Sequence, residues 1–150
     1  MKIDFVLFVN RRLQTRLAEY YFDEQRGFAP QSVSERANFE RKVARACLRR
    51  RDSHVPFFEL DEQLLTYRRY ASLYVVIGMR KRENALAVRE FAQLVVETLN
   101  DVFGGHVSEL DLLFGAEKVH STLDYMIADG YVVETARPLI ATPVKLIDAL

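Results

Sequence analysis

The sequence predicts the α+β class, and three observations lead there. Apolar, β-favouring runs come in two consecutive groups, a pair before residue 23 and a trio between residues 57 and 79, instead of alternating singly with helices. The stretch after the second group switches to helical periodicity, and more helix follows it. No repeat, low-complexity segment or linker divides the 150 residues, so residues 1–150 form one domain, large enough to bury roughly 68–70% of the surface of its unfolded chain.

Residues 3–9 are apolar almost throughout, as in a strand covered on both faces. Asn10-Arg11-Arg12-Leu13 breaks the run, and Thr15 to Phe22 reads as a second strand joined to the first as a hairpin. Asp23 to Gln31, with Gly27 and Pro30, is a loop. Ser32 and Glu35 have capping-box spacing, and Val33, Phe39, Val43 and Cys47 recur at helical intervals as far as Arg49-Arg50-Arg51. Strand candidates follow at 57–60, 64–70 and 72–79, separated by the Asp61-Glu62-Gln63 turn and a change of pattern near Ala71, and should form an antiparallel meander.

Asn84 to Phe103 is helical and is stopped by Gly104-Gly105. Its apolar side chains, from Leu94 and Ala87 round to Phe103 and Val96, fill an arc of about 200°, twice what a surface helix needs. One side can lie on the sheet; the other must be covered by further helices or by another chain. Ser108 starts a short helix with Leu110, Leu113 and Phe114 as its apolar side, and Glu117 to Asp129 forms another, with Val119, Leu123, Met126 and Ile127 on one stripe and Gly130 as its stop. Val132-Val133 is extended, and Thr142-Pro143 has N-cap and N1 chemistry for a last turn or two.

Composition narrows function. Hydrophobic residues at 49% and charged residues at 28% are ordinary values for a soluble globular domain, against both disorder and a membrane-embedded chain. Lys+Arg 21 against Asp+Glu 21 removes the whole-domain basic footprint of a nucleic-acid binder. The lone Cys47 fits a reducing compartment and reads as buried packing. The N-terminal apolar run is too short for a signal peptide, and Leu73 to Ile77 is far below the ~20 residues of a membrane span, so any membrane contact is peripheral.

No phosphate loop, G-x-S-x-G, paired C-x-x-C or H-E-x-x-H occurs. No catalytic, cofactor-binding or metal-binding residue is assigned, and no enzyme is expected. His54, His106 and His120 are too widely spaced for a shared metal and read as surface or capping side chains. Glu109 and Asp111 read as solvated. The basic clusters Arg11-Arg12 with Arg16, Arg49-Arg50-Arg51, Arg68-Arg69 and Arg80-Lys81-Arg82 would matter if several shared a surface, at about 1 kcal/mol per residue near anionic lipid; the sequence leaves that open.

Several strings together resemble the small (sigma) subunits of clathrin-adaptor-like complexes. They are Phe8-Val9-Asn10-Arg11 with Thr15-Arg16-Leu17-Ala18, Tyr67-Arg68-Arg69-Tyr70-Ala71 with Leu73, Phe91, Val96-Glu97 and Leu99-Asn100, then Val107-Ser108-Glu109-Leu110-Asp111-Leu112 and Leu123-Asp124-Tyr125-Met126. Within that family, Val133-Glu134-Thr135, Arg137 and Leu139-Ile140 through Leu146-Ile147-Asp148 look most like the small subunit of adaptor protein complex four. The resemblance implies a longin-like fold, a five-stranded antiparallel sheet flanked by helices with extra C-terminal helices. It also implies a non-catalytic role in vesicle-mediated intracellular transport. The partners would be the solenoid of one large adaptor subunit, with a second large and a medium subunit in a heterotetramer. The location would be cytoplasmic, peripheral on trans-Golgi network, endosomal or coated-vesicle membranes.

By position, the resemblance carries a contact for an acidic dileucine sorting signal onto Arg16, and leucine-pocket contacts onto Ala71, Leu73, Val96 and Val107 with His106 beside them. Such a signal spans about 13 Å from its acid to its first leucine at ~3.3 Å per residue, so cation and apolar pocket must be separate. The competing reading of each pocket residue is ordinary core packing. Two departures bear on the site: Leu13 stands where many relatives have Gly, and Gly104-Gly105 adds a residue before His106, where relatives often carry Asn. The rival readings are another longin-type trafficking protein, such as a coatomer small chain or a fusion-machinery chain, which in the latter case should add a coiled coil or lipid anchor, and a small enzyme, which would need a convergent titratable cluster. The wide arc of the 84–103 helix also predicts that the isolated chain is poorly soluble.

Overall fold

The computed structural model describes residues 2–21, 32–51, 54–70, 72–80 and 83–149. Strands β1 (Ile3–Asn10) and β2 (Thr15–Tyr20) form a hairpin, and β3 (Phe57–Leu60), β4 (Gln63–Tyr70) and β5 (Leu73–Arg80) form a meander. The two groups join through β1 and β5 into one sheet of order β2-β1-β5-β4-β3, with every pairing antiparallel. The expected loop at 23–31, Phe22 and Ala71 lie outside the described residues.

All eight residues of β1 are buried. Phe5, Leu7 and Val9 face one layer, Ile3, Val6 and Phe8 the other, which is why the strand reads as continuously apolar. A register shift between Ile3 and Phe5 leaves Asp4 in a bulge, where its Oδ2 accepts from Gln63 Nε2 at 3.1 Å.

One layer is helix α1 (Val33–Leu48), packed through Val43, Ala44 and Cys47. Ser32 caps it by accepting from the Glu35 N–H, but Val33, counted on its apolar stripe from sequence, is 87% exposed. The other layer is α2 (Ala85–Phe103), capped by the Asn84 side chain and ended by Gly104 in the left-handed region at φ 73°. Behind α2 come α3 (Glu109–Phe114), α4 (Ala116–Met126) and α5 (Arg137–Lys145), with a 3-10 turn, Leu146–Ala149.

Three expectations are corrected here. The helix expected over 117–129 stops at Met126, because Asp129 and Gly130 both take positive φ (51° and 88°) and turn the chain into a small hairpin of β6 (Ile127–Ala128) and β7 (Tyr131–Val132). A Cβ at Gly130 would lie 2.6 Å from the Ile3 carbonyl oxygen. The last helix begins at Arg137, not at Thr142: Pro138 occupies its first turn and Pro143 sits inside it. In α3 the capping box of Ser108 and Asp111 forms as read, yet the buried residue is Leu112, while Leu110, Leu113 and Phe114 are exposed at 62%, 50% and 87%.

The wide apolar arc of α2 is covered from within the chain. Val88, Phe91, Ala92, Val95, Val96, Leu99 and Val102 are all buried. The sheet covers one side; Ile140, Ala141 and Val144 of α5, with α4, cover the other. Arg137 locks α5 in place, donating from Nε and Nη2 to the two Asp101 oxygens at 2.8 Å each, and holds the Asp101 carboxyl below its usual pKa range. The first ground for expecting a partner chain over α2, and for poor solubility on that account, therefore fails: of the two covers the arc allowed, the chain supplies its own.

Candidate functional site

The candidate residues gather at one end of the sheet, where β1 ends, β2 begins and β4 hands over to β5. Asn10 organises the turn between β1 and β2. Its Oδ1 accepts from the backbone N–H groups of Arg12 (2.9 Å) and Gln14 (3.0 Å), and its Nδ2 donates to Gln14 Oε1 and Glu109 Oε1, each at 2.9 Å. Leu13 adopts φ 65°. The left-handed turn that glycine would make without strain is thus made by leucine at a cost of about 1–2 kcal/mol.

Three residues on, Arg16 donates from Nε to Glu109 Oε1 and from Nη2 to Gln14 Oε1 at 3.0 Å. Glu109, read from sequence as solvated, is instead the shared acceptor of Arg16 and Asn10. The amide of Asn10 and the guanidinium of Arg16 hold its carboxyl below the usual range. No sequence signal pointed to this pair, whose members lie 93 residues apart.

A second network borders the first. Tyr70 Oη donates to Asn100 Oδ1 at 2.6 Å and lies 2.9 Å from His106 Nδ1, and the same Asn100 oxygen accepts from the Val107 N–H at 3.0 Å. Leu73 pairs with Tyr70 across the β4–β5 turn and with Asn10 across the sheet. Val96 lies one turn before Asn100 on α2. The structure therefore brings Arg16, Leu73, Val96, His106 and Val107 to one end of the domain, with His106 exposed beside them; Ala71 lies outside the described residues. Leu73, Val96 and Val107 are 2%, 3% and 3% exposed and belong to the main core, so core packing is at present what each of them does.

The other two histidines are engaged in contacts within the chain. His54 accepts the Arg51 N–H at 3.0 Å and closes a turn, and His120 pairs with Glu19. Burial pushes the Cys47 thiol up to about 12, where it is not a nucleophile at neutral pH. Among the described residues no helix is long and apolar enough to cross a membrane.

Among the described residues, a five-stranded antiparallel sheet lies between α1 and the group α2 to α5, with polar networks at the β1–β2 and β4–β5 turns. The family model for the clathrin adaptor complex small chain matches residues 2–150, and the chain belongs to that family. Its relatives include the AP-4 complex subunit sigma of Arabidopsis thaliana, 41% identical over 99% of this chain and 98% of that one. The AP-4 complex subunit sigma-1 of Homo sapiens is 38% identical over 99% and 97%. The AP-1 complex subunit sigma-1 of Schizosaccharomyces pombe is 33% identical over 99% and 87%. A chain of a homology model of the full-length AP-3 complex in a stretched open conformation superposes with a TM-score of 0.72 at 24% identity, covering 98% of this chain and 94% of that one, and shares the fold. The comparisons agree with the resemblance carried by the N-R, T-R-L, Y-R-R-Y-A and S-E-L-D strings, including its leaning toward the AP-4 small subunits.

Proposed function

We propose that this chain is the non-catalytic small subunit of a heterotetrameric adaptor complex in vesicle-mediated transport, seated on the solenoid of a large subunit alongside a second large and a medium subunit. Its place is the cytoplasmic face of trans-Golgi network, endosomal or coated-vesicle membranes. The observation that carries this reading is the family match over residues 2–150. With α2 already covered, the face best suited to the large subunit is α3, where Leu110, Leu113 and Phe114 crowd three large exposed apolar side chains onto six residues. This face also restores, on different residues, the expectation that the isolated chain is poorly soluble.

Co-expression with the large subunit tests it. The pair should copurify, and Leu113→Glu with Phe114→Glu should abolish copurification without changing the circular dichroism of the small chain. Equal recovery of the variant removes α3 as the docking face, and failure of the parent to copurify with any large subunit overturns the reading.

The cargo role belongs to the same proposal. Arg16 would meet the acid of an acidic dileucine signal, with Ala71, Leu73, Val96 and Val107 around a leucine and His106 at the rim. Glu109 already occupies the Arg16 Nε, so the signal's acid must share or displace it, and binding is weak for that reason in addition to the ordering of the peptide. In a fluorescence anisotropy titration of the assembled complex with such a peptide, Arg16→Ala should weaken binding and Glu109→Gln should strengthen it, each severalfold. If neither moves the affinity, Arg16 is not the acid's partner.

A further inference from the structure

Two of the four basic clusters converge. Arg50 and Arg51 from the end of α1, Arg68 and Arg69 from β4 and Arg89 from α2 line one cleft of about 420 Å³, and no Asp or Glu is among its described lining residues. The topology explains the meeting. β3 begins at Phe57, opposite Thr66, so beyond the hydrogen bond from the Tyr67 N–H to the Pro56 carbonyl (3.1 Å) β4 runs as a sheet edge. Its alternate side chains go to opposite faces: Leu65 and Tyr67 pack on the α1 side, Leu64 and Tyr70 on the α2 side. Arg69 accordingly stands with Arg50 and Arg51, Arg68 with Arg89, and the cleft straddles the edge with arginines from both layers.

Like charges gathered in one concavity repel one another, and a bound anion relieves that repulsion. Arg50 is held ready: its Nη2 donates to the Val55 carbonyl at 2.8 Å, its Nε to Tyr67 Oη at 3.3 Å, and its guanidinium stacks 4.5 Å from the Phe58 ring. The side chains of Arg51, Arg68 and Arg89 have no hydrogen bond or ion pair among the described residues. All five cations are arginine, the side chain whose planar fork matches phosphate oxygens two at a time. The volume lies in the range of small-ligand sites and is too small for a folded partner.

We propose that this cleft binds a compact anion carrying two or more phosphate groups, of the inositol-phosphate type, either free or as a lipid headgroup. The site is separate from Arg16 and the sorting-signal residues.

The test uses the full chain, with inositol hexakisphosphate in calorimetry and, separately, sedimentation with phosphatidylcholine vesicles with and without a phosphatidylinositol bisphosphate. The parent should bind the free polyphosphate. Arg68→Glu with Arg89→Glu should weaken binding by about tenfold or more, while Arg11→Glu with Arg12→Glu, the same charge change outside the cleft, should leave it unchanged; thermal melts establish that both variants fold. Pelleting only with the phosphorylated vesicles identifies the lipid headgroup as the source, and binding of the free anion alone identifies the soluble one; either supports the site. No binding by the parent, equal loss in both variants, or an acidic phosphopeptide bound at the cleft that the polyphosphate does not displace overturns it.

Discussion

On the α1 face of the sheet, Phe5 meets Phe39 edge to face with ring centroids 5.1 Å apart, Tyr20 flanks both, and the Phe5 ring lies so close over Gly78 that a Cβ there would stand 2.1 Å from it. The α2 face has a different make-up: Phe8 and Phe91 take part, but most of the packing is Val, Leu, Ile and Met side chains from β1, β4, β5, α2 and α4, and α5 closes the outside through Ile140, Ala141 and Val144. One face adds an interlock of aromatic rings of fixed shape, while the other rests mainly on many aliphatic contacts. Specific shape resists substitution, whereas distributed aliphatic packing tolerates it and confines damage locally.

The contrast is broken most directly at Phe5. Phe5→Ala should cost about 3–5 kcal/mol in urea denaturation. Gly78→Ala should cost about 3 kcal/mol alone and much less in the Phe5→Ala background, because the clash goes with the ring; additive losses would show that Phe5 does not impose the glycine. Ile140→Ala should cost about 2 kcal/mol, at the low end for a buried isoleucine because α5 is peripheral, and should speed amide exchange in α5 and along α2 while leaving β5 protected. A global loss equal to that of Phe5→Ala would erase the distinction between the faces.

The smallest effects, less than about 1 kcal/mol each, sharpen the comparison through pH. Glu109 has its pKa lowered by Asn10 and Arg16, so its contribution is present above the ordinary 4.5 and is lost as pH falls through the lower folded value. Glu40, on the α1 layer, has its pKa raised by burial. The fold favours its protonated form, so stability declines as pH rises from 4.5 through the raised value. In stability profiles against pH, Glu109→Gln should flatten the acid-side loss and Glu40→Gln the decline toward neutral pH. Identical profiles for the two variants would mean that neither environment has been assigned correctly.

Periodicity and end signals made the sheet strands, α1, α2 and the α3 capping box legible, because each depends on residues a few positions apart. The β6–β7 hairpin was hidden because Gly130 alone reads as a helix stop, and only Asp129 with it marks the turn. The start of α5 was misplaced because Pro138 and Pro143 carry the same N-terminal chemistry, and packing against Val102 and Asp101 decides between them. In α3, three apolar residues outnumber Leu112, yet a six-residue helix buries only what faces the core. The candidate site was legible as far as a family resemblance carries residues across by position. Its governing contact, Arg16 with Glu109, joins distant residues that local pattern cannot connect, and the arginine cleft appears only once β4 is known to be an edge beyond Thr66.

The position of β1 in the sheet has a consequence during synthesis. This strand, buried along its whole length, leaves the ribosome before every other strand of the sheet, and β2 follows at once to cover one edge. Its other edge waits for β5, and at about 5–20 residues per second the ~70 residues from Asn10 to Arg80 take roughly 4–14 s to translate. Through that interval the most apolar strand of the nascent chain has an open side, which is when a holding chaperone would matter most to its yield.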